Sequence, residues 1–268
     1  MVPRVNLVLE YKGGGFFVEK FNYALQEQGR TKEQEKFISR IMVVKIGSST
    51  ITGGTENLDV NFVGDIARQA RTLRSDGVQL VIVTSGAVAS GKKELASTES
   101  SIFGQTNLVW TWINALIANG IKLEDIGYLL LTDNHLGDDL GVILKKTLRY
   151  GVLIINGEDA VNGITKSIIC KDNDKLAGFL GKLIDADTLL LLTDKDGVLD
   201  KDGKTIETFD SKTEVVIFDE SKKISNGGIG SKIQVAQEFM GRAIIANGRA
   251  DDVVLKVARG EKVGTQFH

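Results

Sequence analysis

Short apolar runs that each end in a polar turn recur along the chain, with amphipathic segments between them. This alternation constrains the fold more than any other feature. Short continuous apolar runs are typical of strands that are buried on both faces of a sheet. Strands that alternate with helices favour parallel pairing through right-handed crossovers. The pattern therefore predicts an α/β protein, an αβα sandwich around a mainly parallel sheet. The predicted strands lie at residues 42–46, 78–83, 126–131, 152–155, 188–192 and 243–246.

The segments between these runs predict the helices and turns. Asn57 or Asp59 can cap a helix that continues to Leu73, and Asp172 can cap a helix that continues to Ile184. A hairpin turn is expected at residues 200–203, which read Asp-Lys-Asp-Gly. Two short strands are expected to finish the chain. Further helices are predicted after the turn at 84–87 through residue 95, and at residues 105–118, 140–150 and 230–240.

Residues 1–40 are interpreted as an N-terminal extension, and residues 41–268 as one domain. Glycines 13–15 could cradle an anion, although a flexible turn before a helix explains them better. We expect the extension to pack on the body of the protein or to form an oligomer contact. The residues that share one face of its predicted helix are Phe17, Phe21, Ala24, Leu25 and Gln28.

Composition excludes several functional classes. The chain has 33 basic and 35 acidic residues, so its net charge of −2 gives no indication of nucleic acid or an anionic membrane as a partner. A single cysteine, Cys170, excludes an internal disulfide framework and fits a reducing compartment. No apolar run reaches membrane-spanning length, and the N-terminus does not resemble a signal peptide. We therefore expect a soluble cytoplasmic protein.

The polar turns carry the residues suited to chemistry. Because the carboxyl ends of parallel strands meet at one edge of a sheet, these turns can converge on one site. Together they hold two lysines, several acids and glycine-rich backbone, which suit the stabilisation of negative charge in phosphoryl transfer. The chain has neither a P-loop motif nor a Rossmann glycine motif after a strand. The turns lie at residues 45–49, 84–87, 156–161, 171–174, 193–197 and 227–232.

These turns and the strands before them form motifs that resemble the amino acid kinase family, and within it the glutamate 5-kinases. The resemblance extends from Met42 to His268, with the motifs in the family's order. The chain ends where the family's kinase domain ends, so we expect no RNA-binding-like C-terminal domain. The motifs read VVKIGSST, VIVTSGAVASG, IINGEDAV, KDNDKLAG, LLLLTDKDGV, GGIGSKIQVA and GTQFH.

The resemblance implies an ATP-dependent kinase that phosphorylates a carboxylate in amino-acid biosynthesis, on the route to proline. Lys45 and Lys232 would flank the transferred phosphoryl group, and Asp159 would hold both lysines in place. ATP would lie over the C-terminal half with Mg²⁺, for which Asp174 is a candidate ligand, although an acid there also suits a helix N-terminus. The enzyme would be a homo-oligomer, a dimer or a tetramer.

The resemblance also assigns binding residues to the two substrates. The residues implied for the amino acid substrate are Gly47, Ser48, Ser85, Gly86, Ala87, Asn156 and Glu158. Those implied for the nucleotide are Thr193, Asp194, Gly197, Gly227, Gly228 and Lys232.

The chain departs from the family on the substrate side. Glu158 stands where the family has a substrate-contacting asparagine, Lys171 replaces a glycine, and the loop after Thr132 is shortened. If Glu158 faces the acceptor, its carboxylate would repel that of glutamate. Three hypotheses follow: a glutamate kinase, a kinase of another small metabolite, or a nucleotide-binding regulatory or storage protein without turnover.

Overall fold

The computed structural model describes residues 10–12, 15–17, 40–160, 168–210 and 228–267. The chain divides into two compact units, Met1–Lys36 and Phe37–His268. Within the described residues, no helix has both the length and the apolar character needed to cross a membrane.

In the first unit, strands Glu10–Lys12 and Gly15–Phe17 form an antiparallel pair in which Tyr11 is opposite Phe16. The predicted helical position of Phe17 is therefore wrong, because this aromatic residue lies in a strand, where aromatic residues are favoured. The other residues assigned to that helix face, Phe21, Ala24, Leu25 and Gln28, lie outside the described residues, as do Gly13 and Gly14.

The second unit is built on a seven-stranded sheet. The strands are β1 (Ile41–Ile46), β2 (Gln79–Val83), β3 (Ile126–Leu131), β4 (Val152–Gly157), β5 (Thr188–Thr193), β6 (Arg242–Asn247) and β7 (Thr265–Phe267). They lie in the order β3-β4-β2-β1-β5-β6-β7. All neighbouring strands are parallel except β7, which runs antiparallel to β6. The mainly parallel α/β fold is thus confirmed.

Helices cover both faces of this sheet. The helices are α1 (Ser48–Thr52), α2 (Val60–Ser75), α3 (Ser97–Ala118), α4 (Asp138–Thr147), α5 (Asn173–Leu183), α6 (Ile229–Glu238) and α7 (Val253–Ala258). One apolar core lies between the sheet and α2, α3 and α7, and a second lies between the sheet and α4, α5 and α6. Side chains alternate along β1, so that Val44 faces the first core and Val43 the second.

Two helix caps and one turn agree with the sequence prediction. Asp59 caps α2 by accepting hydrogen bonds from the amides of Asn61 and Phe62. Asp172 caps α5 by accepting one from the amide of Asp174. The hairpin turn closes where the Gly203 amide donates to the Asp200 carbonyl at 3.0 Å.

The helix predicted to follow the turn at 84–87 is wrong, because residues 87–95 form turns and α3 begins at Ser97. Gly86 has a φ of +111°, which leaves the helical region. The turns then pack closely against α3: a Cβ added to Gly104 would lie 1.7 Å from the carbonyl oxygen of Ala87. Only glycine allows the two backbones to approach this closely. The contact between them fixes the turn that carries Ser85.

The C-terminal prediction is half wrong, since one of the two expected strands is the helix α7. Its β-branched and leucine side chains favour a strand locally, but tertiary packing overrides that preference. Val253, Val254, Leu255 and Val257 are all buried in the core that α7 shares with α2 and α3.

Candidate functional site

A cleft of about 660 Å³ opens at the carboxyl ends of the central strands. The strand order places β1 between β2 and β5, and the chain crosses from one side of β1 to the other after β4. Ligands of open parallel sheets bind at such a switch point. Among the described residues, four lysines and two aspartates line the cleft, an excess of positive charge that suits a polyphosphate. They are Lys45, Lys171, Lys175, Lys232, Asp159 and Asp172.

Lys45 and Lys232 converge on one carboxylate, that of Asp174. Lys45 Nζ lies 2.7 Å from Asp174 Oδ1, a close ion pair without a well-aligned hydrogen bond. Lys232 Nζ donates a hydrogen bond of 2.9 Å to Asp174 Oδ2. Asp174 is fully buried, and the two lysine side chains are only 6% and 7% exposed. The alternation along β1 explains the meeting, because it directs Lys45 toward α5 and α6.

Electrostatics keep the carboxylate of this cluster charged. Burial raises the pKa of Asp174, but the charges of Lys45 and Lys232 outweigh it, so that this pKa lies below its usual value. Burial holds the pKa of Lys45 below its ordinary value, although Asp174 opposes the shift. A buried carboxylate with two cationic partners is stable as an anion. The cluster therefore presents two positioned ammonium groups to the cleft, both of which line it.

Asp172 joins the two helices that carry this cluster. Its Oδ1 accepts a hydrogen bond of 2.9 Å from the Asp174 amide, and its Oδ2 accepts one of 2.7 Å from Ser231 Oγ. Ser231 directly precedes Lys232 in the first turn of α6. One carboxylate thus caps α5 and fixes α6, which sets the distance between Asp174 and Lys232.

Polar groups after β2 and β4 form the other half of the cleft. Asn173 Nδ2 donates to Ser85 Oγ at 2.9 Å and to Asn156 Oδ1 at 2.9 Å. Ser85, Gly86, Gly47 and Ser48, which the resemblance assigns to the amino acid substrate, line the cleft. Ala87 and Asn156 are fully buried and are not among the lining residues.

Asp159 and Glu158 differ from their predicted roles in the arrangement. Asp159 lines the cleft, but it forms no ion pair with Lys45 or Lys232 in the described part of the chain, where Asp174 takes that position. Burial, with a further contribution from Glu158, raises the pKa of Asp159 to about 6. Glu158 is not among the lining residues, and its Oε1 accepts a hydrogen bond of 3.3 Å from the Ala160 amide.

Only some of the residues that are expected to contact the nucleotide line the cleft. Thr193 and Lys232 line it, whereas Asp194 and Gly197 do not. Gly228 is the N-cap of α6, and no atom of the described residues lies within 4 Å of a Cβ added there. Gly227 lies outside the described residues. The lining on this side also includes Thr50 and Leu192, which sequence reasoning did not assign.

A family model described as the amino acid kinase family matches residues 40–247. The chain belongs to the amino acid kinase family. Among curated relatives, the glutamate 5-kinase of Caldanaerobacter subterraneus subsp. tengcongensis is 32% identical over 255 residues, covering 84% of this chain and 67% of the relative. The glutamate 5-kinase of Photobacterium profundum is 35% identical over 254 residues, covering 84% and 66%. The glutamate 5-kinase of Methanosarcina mazei is 32% identical over 274 residues, covering 88% and 70%.

Sequence reasoning missed two roles in this amino acid kinase site. Asp174 was interpreted as a metal ligand or a helix-dipole residue, although it pairs both lysines. Asn173 was not assigned at all, although it lies between two acids of the motif KDNDKLAG and bonds to Ser85. The available signal was the predicted cap at Asp172, because residues 173 and 174 then begin a helix and can direct their side chains toward neighbouring strand ends.

The Mg²⁺ expected for an amino acid kinase does not fit Asp174. Both of its oxygens lie within 2.9 Å of lysine ammonium groups, which would repel a metal cation. The described residues contain no group of three acidic, histidine or cysteine side chains that could hold a metal ion. Mg²⁺ commonly binds through substrate phosphates and few protein ligands, so the metal expected here would belong to the nucleotide.

Proposed function

We propose that this amino acid kinase transfers the γ-phosphoryl group of ATP to the γ-carboxylate of glutamate, which gives an acyl phosphate. The observation that carries the proposal is the cluster of Lys45, Asp174 and Lys232 at the cleft. The named activity of the relatives supports the choice of glutamate. The chain's own residues support phosphoryl transfer, because two preorganised cations face a space large enough for nucleotide and acceptor.

The acceptor needs no general base in this reaction, because a carboxylate is already ionised at pH 7. Its oxygen attacks the γ-phosphorus while the bond to the leaving ADP oxygen breaks. Lys45 and Lys232 stabilise the negative charge that spreads over the transferred group. Mg²⁺, when bound with the nucleotide, neutralises further charge on the phosphates. Holding both reactants in line supplies the rest of the rate enhancement.

Asp159 is proposed to bind the ammonium group of the acceptor. Its carboxylate lines the cleft on the side of Ser85 and Gly86, with no described ion-pair partner. Its pKa of about 6 leaves it mostly ionised at pH 7. A substrate ammonium group would compensate this partly buried charge, as buried charges require.

The test is ADP release with glutamate and with a panel of other amino acids and small carboxylates, alongside calorimetry with a non-hydrolysable ATP analogue. We expect turnover that depends on glutamate, with a KM that rises as the pH falls through about 6, where Asp159 takes up a proton. Nucleotide binding without turnover on any acceptor would favour the regulatory or storage alternative. No nucleotide binding at millimolar concentration would contradict the kinase function.

A second acceptor class is favoured by one observation, the lysine at position 171. Lys171 lines the cleft where the family motif has glycine, and Lys175 lines it one turn further along. The added positive charge favours an acceptor with more negative charge than glutamate. Higher kcat/KM for a tricarboxylate or an N-acylated amino acid than for glutamate in the same panel would select this alternative.

We also propose a homodimer that forms through the outer face of α3. Residues 100–118 contain no charged side chain, although the helix has an exposed face. Phe103, Trp110 and Ile117 on that face are 49%, 65% and 44% exposed. They are spaced by seven residues, so a two-fold axis at Trp110 would pair Phe103 of one copy with Ile117 of the other. A self-complementary apolar surface of this kind is typical of a two-fold interface.

Trp110→Glu is expected to convert the dimer to a monomer, because it would place a charge against its own copy across the axis. Light scattering should give twice the chain mass for the wild type and one chain mass for the variant. Met240→Glu is the control, since Met240 is 97% exposed outside this face and should leave the mass unchanged. A dimer that persists in Trp110→Glu would assign the contact to another surface, such as the N-terminal extension.

A further inference from the structure

We propose that Gln105, which does not line the cleft, is a positioning residue that holds the acceptor side in place through Asn156 and Asn173. Its kinetic consequence depends on the proposed function, whereas its structural consequence does not. Gln105 lies on the inner side of α3, and its side chain meets Asn156 at the end of β4. The relay is defined as Tyr128, Gln105, Asn156, Asn173 and Ser85.

The orientation of the relay is set by backbone groups. A carboxamide can present either its oxygen or its nitrogen to a neighbour, so its orientation has to be inferred from its partners. Asn173 Oδ1 accepts a hydrogen bond of 3.2 Å from the Gly157 amide, which can only donate. Asn173 Nδ2 donates one of 3.1 Å to the Thr84 carbonyl, which can only accept. These two contacts admit one orientation of Asn173.

Each following amide then has one satisfactory orientation. Asn173 Nδ2 donates to Asn156 Oδ1 at 2.9 Å, so Asn156 must direct its nitrogen away from Asn173. Asn156 Nδ2 donates to Gln105 Oε1 at 3.0 Å, so Gln105 must direct its own nitrogen away in turn. Gln105 Nε2 donates to the hydroxyl oxygen of Tyr128. Along this path each amide donates toward β3, while the two protons of Asn173 Nδ2 are shared among Asn156 Oδ1, the Thr84 carbonyl and Ser85 Oγ.

The cleft end of the relay is the Ser85 hydroxyl. Ser85 Oγ accepts a hydrogen bond of 2.9 Å from Asn173, and Ser85 lines the cleft. An accepting oxygen leaves the hydroxyl proton of Ser85 for a ligand in the cleft. A carboxylate of the acceptor can only accept hydrogen bonds, so this polarity matches it. Gln105 thus acts on the acceptor through two asparagines, without touching it.

Removing the oxygen of Gln105 should disturb the whole relay. Asn156 is fully buried, so its Nδ2 would have no alternative partner in water. If Asn156 rotated its amide, two nitrogens would face each other at Asn173. An unsatisfied buried polar group typically costs the equivalent of about 5- to 150-fold in an equilibrium constant. We expect this loss to appear in binding of the acceptor, and not in binding of the nucleotide.

The experiment compares Gln105→Met, Gln105→Glu and Tyr128→Phe. Gln105→Met keeps the length of the side chain without an acceptor, and it should raise KM for the acceptor on the order of 10-fold or more with little change in KM for ATP. Gln105→Glu keeps an oxygen for Asn156 and should recover most of that loss. Tyr128→Phe removes the partner of Gln105 Nε2 at the far end of the relay and should raise KM for the acceptor less than Gln105→Met does. Equal increases of both KM values in Gln105→Met would contradict a positioning role.

A readout that does not require turnover separates the relay from the proposed function. Side-chain amide resonances of Asn156 and Asn173 should shift in Gln105→Met, although Asn173 does not contact residue 105, and they should return toward wild-type positions in Gln105→Glu. An unchanged Asn173 resonance in a folded Gln105→Met protein would overturn the relay. Wild-type protein without glutamate turnover, but with these shifts, would overturn the proposed function alone.

Discussion

Asp174→Asn is expected to abolish turnover and to lower the free energy of unfolding by about 3–5 kcal/mol, because it removes the anion shared by two buried lysines. Lys45 and Lys232 would remain buried and would both lose the carboxylate that they share. Each would then lose its proton or move toward solvent, and either change removes the charge that faces the phosphoryl group. Urea denaturation and ADP release measure the two effects on the same preparation.

Asp172→Asn is the matched control, since it makes the same substitution two residues earlier on the same helix end. Asparagine caps helices about as well as aspartate, and it can still bond to Ser231. We therefore expect a loss of less than about 1 kcal/mol. Equal destabilisation by the two variants would show that Asp174 serves α5 as a helix-terminal acid and does not organise the lysines.

The contribution of Asp174 to the free energy of unfolding should also depend on pH. Its pKa is lower in the folded protein than in the unfolded chain, so its stabilisation is present above the unfolded value, roughly pH 4. It is lost as the pH falls through the lower folded value. The difference in stability between wild type and Asp174→Asn should accordingly be full near pH 7 and shrink in strong acid.

The meeting of Lys45 and Lys232 could be predicted from sequence because topology determines it. Lys45 lies near the carboxyl end of a central strand, and Lys232 lies in the first turn of a helix that packs on the same sheet. The convergence of the two turns follows from the order of apolar runs and from parallel pairing, whereas the selection of these two lysines rests on the family resemblance. No detail of side-chain packing is needed to bring these residues to one edge.

The identity of their partner could not be predicted in the same way. The polar turns offer acids at positions 158, 159, 172, 174, 194 and 196. Which of them reaches the lysines depends on the rotation of α5 against β1, and therefore on the buried side chains between them. The capping of α5 by Asp172 sets that rotation and aims Asp174 inward. Asp159 instead remains on the cleft wall.

The turn after β2 shows a second limit of sequence reasoning. Residues 87–95 have a composition compatible with a helix, but Gly86 and Gly104 commit the backbone to close packing against α3. In the sequence, the only sign of this contact between two distant segments is the presence of the two glycines. The same packing places Gln105 beside Asn156, so the relay was equally invisible before the fold was known.

Lys45→Met and Lys232→Met are each expected to lower kcat by about 10²- to 10³-fold while the protein stays folded. Each lysine presents a fixed positive charge to the cleft, and removal of one such preorganised group commonly costs that much in rate. Methionine fills a similar apolar volume, so the fold should tolerate it. Asp174 keeps one cationic partner in either single variant, and its carboxylate remains compensated.

The double variant should behave differently from either single variant. With both lysines replaced, Asp174 would be a fully buried carboxylate without a cationic partner among the residues seen here. Breaking a buried pair in this way typically costs about 3–5 kcal/mol. We therefore expect activity to be lost at the first substitution and stability at the second. Circular dichroism melts and single-turnover kinetics on all three proteins measure this separation.

Lys182→Met serves as the control, because Lys182 is half exposed and pairs with Glu238 at 3.8 Å on the surface. Exposed ion pairs of this kind contribute little to stability, so the activity and the melting temperature of Lys182→Met should match those of the wild type. Turnover within tenfold of wild type in Lys45→Met and in Lys232→Met would contradict a catalytic role for the cluster. Loss of the fold in the single variants would mean that Asp174 needs both lysines for stability, and the rate comparison would then move to Lys→Arg variants, which retain the charge.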